Sequence, residues 1–129
     1  MFVPAIFWIL IATVLLVLPG PDVPDVSFFD QIPQFDKLVH ATLFGGITFL
    51  CSYPFIKTFR ASRKLLIYIA ILSTLYGVLM EYVQKYIAIE RDFDYFDMLA
   101  DFIGSIVGFY LCLLLKNRLA KKYNKAIKK

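Results

Sequence analysis

Apolar residues in this chain come in long runs rather than alternating with polar ones. Four stand out: Phe2 to Leu18, Ala41 to Ile56, Leu65 to Met80 with a less pure continuation to Ile89, and Phe102 to Leu115. Each is a little shorter than the roughly 20 residues that cross a bilayer core, and aromatic or amphipathic flanks lengthen them. The runs predict an all-α fold. Four transmembrane helices are expected over about 2–18, 37–56, 65–88 and 95–116, in one membrane domain covering 1–129 with a basic tail over 117–129. Pro19, Pro21 and Pro24 end the first helix, because proline has no N–H for the helical ladder. The connections are too short for a separate soluble domain.

Composition strengthens the membrane reading. The chain is 60% hydrophobic and 19% charged, with a mean hydropathy of +0.69, where an ordinary soluble domain lies near or below zero. No Lys or Arg precedes the first run, and its exit "VLPGPDVPD" lacks a small-x-small cleavage pattern, so a retained anchor is expected rather than a signal peptide.

Charge then orients the bundle. "KTFRASRK" (Lys57 to Lys64) and "KNRLAKKYNKAIKK" (Lys116 to Lys129) concentrate the cations, and the positive-inside rule places both in the cytoplasm, with the amino and carboxyl termini. The connections bearing Asp22, Asp25, Asp30 and Asp36, and Glu90, Asp92 and Asp94, then lie outside. The basic tail accounts for the net charge of +4. It reads as a topology signal attracted to anionic lipid, not as a nucleic-acid site.

Ionisable residues enter the apolar runs from one side only. Asp36, Lys37 and His40 open the second helix, Glu81 and Gln84 close the third, and Arg91, Asp94, Asp97 and Asp101 lead into the fourth. Spacings of three and four residues put Asp36 with His40, Glu81 with Gln84, and Asp94 with Asp97 and Asp101, each set on one helical face. The last stripe continues to Gly104 and Gly108, a G-x-x-x-G pair that lets helix backbones approach, so it faces other helices. A carboxylate at mid-membrane costs about 2.5–3.5 kcal/mol on insertion scales. Glu81 and Asp101 should therefore find partners among His40, Gln84, Lys37 and Arg91. Asp94 suits either a helix cap or the pocket.

Cys51 and Cys112 fall in the cytoplasmic halves of their helices and read as apolar filler rather than a disulfide. No Cys and His spacing suggests zinc, and no metal ligand set or cofactor is assigned.

"DKLVHATLF" (Asp36 to Phe44) resembles the start of the second helix in the VanZ-like family of small bacterial membrane proteins, with Asp36, Lys37 and His40 at the matching places. "EYVQ" and "RDFDYFDMLADFIGSIVG" resemble its second signature, through Glu81, Gln84, Arg91, Asp94, Asp97, Gly104 and Gly108. Asp101 departs, standing where the family usually has asparagine. The family is named for a protein conferring low-level teicoplanin resistance, so the resemblance implies a cell-envelope role without a known mechanism.

Three functions compete on these grounds. An outer polar pocket could bind an anionic lipid or cell-wall precursor, with Lys37, Arg91 and His40 meeting phosphate. An intramembrane enzyme could use Glu81, Asp97 and His40 as acid and base groups or to hold a divalent cation. In the third, the polar network of a structural or interaction bundle only fixes helix register. Neither the ligand nor the oligomeric state is specified by the sequence.

Overall fold

The computed structural model describes residues 1–17, 35–87 and 94–128. These form four helices and no strand: α1 (Val3–Val17), α2 (Phe35–Lys57), α3 (Arg63–Ile87) and α4 (Tyr95–Ile127). The proline-rich connection with Pro19, Pro21 and Pro24, and the turn containing Arg91 and Asp92, lie outside the described residues. Three helices, α2, α3 and α4, are long and apolar enough to cross a membrane, whereas α1 has 15 residues and falls short of that length.

α4 differs from expectation. The basic segment after Lys116, expected as a tail, continues the helix to Ile127. It holds Lys, Arg, Leu and Ala without Gly or Pro, all good helix formers. The end of an apolar run marks where a membrane stops, not where a helix must. At about 1.5 Å per residue α4 is roughly 50 Å long, well beyond a hydrocarbon core of about 30 Å.

Polar side chains are buried beside Phe44, Ile56 and Leu66, while much of the outside is apolar. His40, Glu81, Asp101, Thr48, Ser52 and Ser105 are all 1% exposed or less, yet Leu72, Leu79, Phe102, Val107 and Leu114 face outward. A water-soluble bundle would reverse this arrangement. The helices meet through small residues, most closely along α2 and α4. A methyl group added at Gly104 would overlap the Ala41 carbonyl, and one at Gly108 would lie 2.6 Å from the Gly45 carbonyl oxygen. Gly45 is less tightly constrained, its own added Cβ lying 3.0 Å from the Gly104 oxygen. The backbones cross where no side chain fits.

α1 is fixed by polar contacts along its length. Trp8 lies against Gly46 and donates its indole N–H to the Leu43 carbonyl at 3.0 Å, and Thr13 pairs with the Tyr76 hydroxyl at 2.6 Å. At the opposite end from the acidic residues, Ser62 caps α3 by accepting from the Leu65 N–H at 3.0 Å. Phe59, at φ 57°, ends α2, and its ring packs on Tyr123 of α4 at 5.2 Å. The α2–α3 turn and the distal part of α4 therefore share one end. Cys112 packs there with Ile56, Ala61 and Leu66, as apolar filler does.

Candidate functional site

The acidic end is assembled from three helix termini: the start of α2, the end of α3 and the start of α4. Asp94 is the N-cap of α4, its Oδ1 accepting from the Phe96 N–H at 2.7 Å. This satisfies one of the free donors that open any helix. Its other oxygen, Oδ2, takes a 2.7 Å hydrogen bond from Lys37 Nζ, which also donates to Asp97 Oδ1 at 3.0 Å. Asp94 thus caps and pairs at once. The Lys37 ammonium holds its carboxyl below the ordinary value of 3.8, aided by the Phe96 N–H. Lys37 also lies 5.8 Å from the centre of the Phe96 ring.

One turn deeper, His40 Nδ1 and Asp101 Oδ1 are 2.9 Å apart and both side chains are almost fully buried. When a neutral imidazole donates from Nδ1 to the carboxylate, Nε2 is left with its lone pair. Nε2 is buried, has no hydrogen-bond partner among the described residues, and lies 4.0 Å from Asp97 Oδ2. That separation exceeds a hydrogen bond. Asp101 fits because Gly77 faces it across α3; a Cβ at Gly77 would lie 2.5 Å from Oδ2.

Glu81 and Gln84 share a face yet serve different neighbours. Glu81 Oε2 accepts from the Asp94 N–H at 3.3 Å, helping to hold the entrance of α4, while buried Oε1 has no partner among the described residues. Among the described residues its partner is a backbone donor, rather than the His40, Gln84 or Lys37 side chain anticipated for it. Gln84 Nε2 donates to the Leu16 carbonyl at 2.8 Å and so ties α3 to the end of α1, away from the His40 cluster. Arg91, expected in the pocket, lies outside the described residues. Asp36 is exposed in the first turn of α2, and one donor atom each from Asp36, His40 and Asp97 lie within 4.8 Å of one another.

The expected stripe of Asp97, Asp101, Gly104 and Gly108 is buried along α4. Thr48, Ser52, Ser73 and Ser105 of the polar interior were missed from sequence. Ser105 Oγ bonds Ser73 Oγ at 3.2 Å, and Ser73 donates to the Phe44 carbonyl at 3.2 Å. Ser105 follows Asp101 by four residues, so the helical step that found the glycines could have found it.

No protein-family model matches this chain, and no curated protein or solved structure does. What the fold and site define is a class: a helical bundle with membrane-length apolar helices and a buried ionisable cluster at one end.

Proposed function

We propose that the chain is a multi-pass protein of the bacterial cytoplasmic membrane, of the VanZ-like kind, serving the cell envelope through an outward polar pocket. The observation that carries this reading is the segregation of charge along the bundle. Ionisable side chains from three membrane-length helices converge at one end, while Lys57, Arg60, Arg63 and Lys64 and the distal lysines of α4 mark the other. By the positive-inside rule the basic end is cytoplasmic, with both termini, and the acidic end faces out. α1 is the fourth crossing, its apolar Ile6, Leu10 and Val14 turned to lipid.

The proposed partner is an anionic lipid or cell-wall precursor, and the charge of the pocket sets how it enters. Asp36, Glu81, Asp94, Asp97 and Asp101 outnumber Lys37 in the cluster, and Lys37 is already clamped by two of them. A phosphate headgroup is therefore accepted with its counter-cation rather than by Lys37 alone. The single most informative experiment is mass spectrometry of lipid co-purified with the wild type and with Glu81→Gln. Enrichment of one anionic lipid that is lost in the variant supports the reading. Identical lipid profiles, with both proteins folded, overturn it. A role in teicoplanin resistance, which the VanZ resemblance suggests, predicts a raised inhibitory concentration on expression, lost with Glu81→Gln.

A second reading is favoured by one observation: buried His40, held by Asp101 through Nδ1, presents an unpartnered Nε2. A histidine so oriented can take or give a proton, with Asp97 and Glu81 close to the same entrance. An intramembrane enzyme acting on the same lipid would need it. Complementation by His40→Gln at wild-type level excludes the acid–base role and leaves binding.

A further inference from the structure

We propose that Asp36, His40 and Asp97 form a divalent transition-metal site, with His40 binding through Nε2 and Asp101 fixing the ring from behind. The inference stands on these side chains and holds whichever ligand occupies the pocket.

The argument begins with a mismatch. Asp101 engages Nδ1, and the buried Nε2, without a hydrogen-bond partner among the described residues, faces Asp97 Oδ2 4.0 Å away. In a neutral imidazole protonated on Nδ1 these are two facing acceptors, which repel unless a cation lies between them. The distance is too long for a shared proton. Metal–ligand bonds of about 2.0–2.2 Å separate adjacent ligands by roughly 3–3.5 Å, so the two atoms must close by about 0.5–1 Å to share one ion. Asp36 completes the set, with one donor atom of each residue within 4.8 Å of the others. Asp36 is exposed at the start of α2, so its side chain is free to supply the small closing movement.

The surroundings match those of a bound ion. A metal-ligating histidine commonly donates its other ring N–H to a carboxylate, which fixes the ring and raises its basicity, and Asp101 is placed for that. Lys37 engages only Oδ1 of Asp97 and leaves Oδ2 for the ion. One imidazole and two carboxylates favour zinc or manganese over magnesium or calcium, for which a nitrogen ligand is unsuited. Three protein ligands leave a position open for water or for a phosphate oxygen of a headgroup, which gives the anionic partner an entry into an acidic pocket.

The test uses the full chain in detergent, stripped with chelator and titrated with zinc chloride or manganese chloride alone, with uptake followed by calorimetry and elemental analysis. One equivalent per chain is expected for the wild type. His40→Ala and Asp97→Asn should lose it, and Asp101→Asn, which preserves a hydrogen-bond acceptor for Nδ1, should weaken it about 10–100-fold. Asp36→Asn is exposed and tests the site without disturbing the fold, while Gln84→Ala should bind as the wild type does. Cobalt(II) in place of zinc should give ligand-field absorption that shifts in Asp36→Asn. Absence of uptake by folded wild type, or uptake by Asp36→Asn and His40→Ala equal to that of the wild type, overturns the proposal. Metal uptake by lipid-free protein whose purified lipids match those of Glu81→Gln would uphold the metal site and sink only the lipid reading.

Discussion

The two ends of the α2–α4 pair carry opposite charge and use it in opposite ways. At the acidic end charges are built into contacts between elements: Lys37 to Asp94 and Asp97, His40 to Asp101, and Glu81 to the Asp94 N–H. At the basic end Arg118, Lys121, Lys122 and Lys125 line an exposed helix. Desolvated groups must be placed accurately, because an unpaired buried charge costs several kcal/mol, whereas solvated lysines tolerate imprecision. The acidic end therefore behaves as a site. On the proposed topology the basic end serves as a label for the cytoplasmic side, effective wherever its charges fall along the helix.

Breaking the buried pair should produce the largest effect. His40→Leu leaves the Asp101 carboxylate buried among apolar atoms and Gly77, and loss of about 3–5 kcal/mol is expected in detergent unfolding. Asp101→Asn retains an acceptor for Nδ1 and should cost about 1 kcal/mol. If the two variants are equally damaging, the negative charge of Asp101 matters to the fold, and the purely structural reading of the network weakens. Next in size is Gly104→Ala, whose methyl group meets the Ala41 carbonyl. Separating α2 from α4 to admit it should cost about 1–3 kcal/mol and displace His40 from Asp101.

A smaller effect sharpens the boundary between site and solvent. Asp94 is more acidic in the folded chain than its ordinary value of 3.8, chiefly through Lys37. The pair therefore adds stability at pH above that value and loses it as pH falls through the lower folded-state value. Asp94→Asn keeps the cap but not the charge, so its deficit against wild type should be present at pH 6, shrink below pH 4 and narrow in high salt, since Asp94 is partly exposed. A deficit independent of pH would mean that capping alone is involved.

How much of this was legible beforehand follows physical scale. Helix number, the glycine seam and the common depth of His40, Glu81 and Asp101 are carried by local periodicity, which sequence records directly. The partition of Glu81 and Gln84 between α4 and α1 was not legible, because two residues on one face can be shared between two neighbours whose positions depend on the whole bundle. Nor was the role of Asp36 beside Asp97, which needs the α2–α4 crossing as well as the spacing. The end of α4 escaped for a different reason. Hydropathy reports solvent, while Lys116 to Ile127 holds its helix by propensity.

The smallest effect is expected where the charge is densest. Lys121→Gln, Lys122→Gln and Lys125→Gln together remove three cations from exposed positions on α4, and glutamine is nearly as good a helix former as lysine. Thermal unfolding in detergent should move by less than about 2 °C. Orientation should also persist, because Lys57, Arg60, Arg63 and Lys64 remain at the same end, next to the Phe59–Tyr123 contact. Labelling of a cysteine placed at Asn117 from either side of the membrane reads orientation directly. What should fall is attraction to anionic lipid, by about 1 kcal/mol for each lysine near the surface, measurable as weaker retention of anionic lipid. If the triple variant instead unfolds as readily as His40→Leu, the basic end is engaged in tertiary contacts as specific as those of the acidic end, and the contrast between site and label fails.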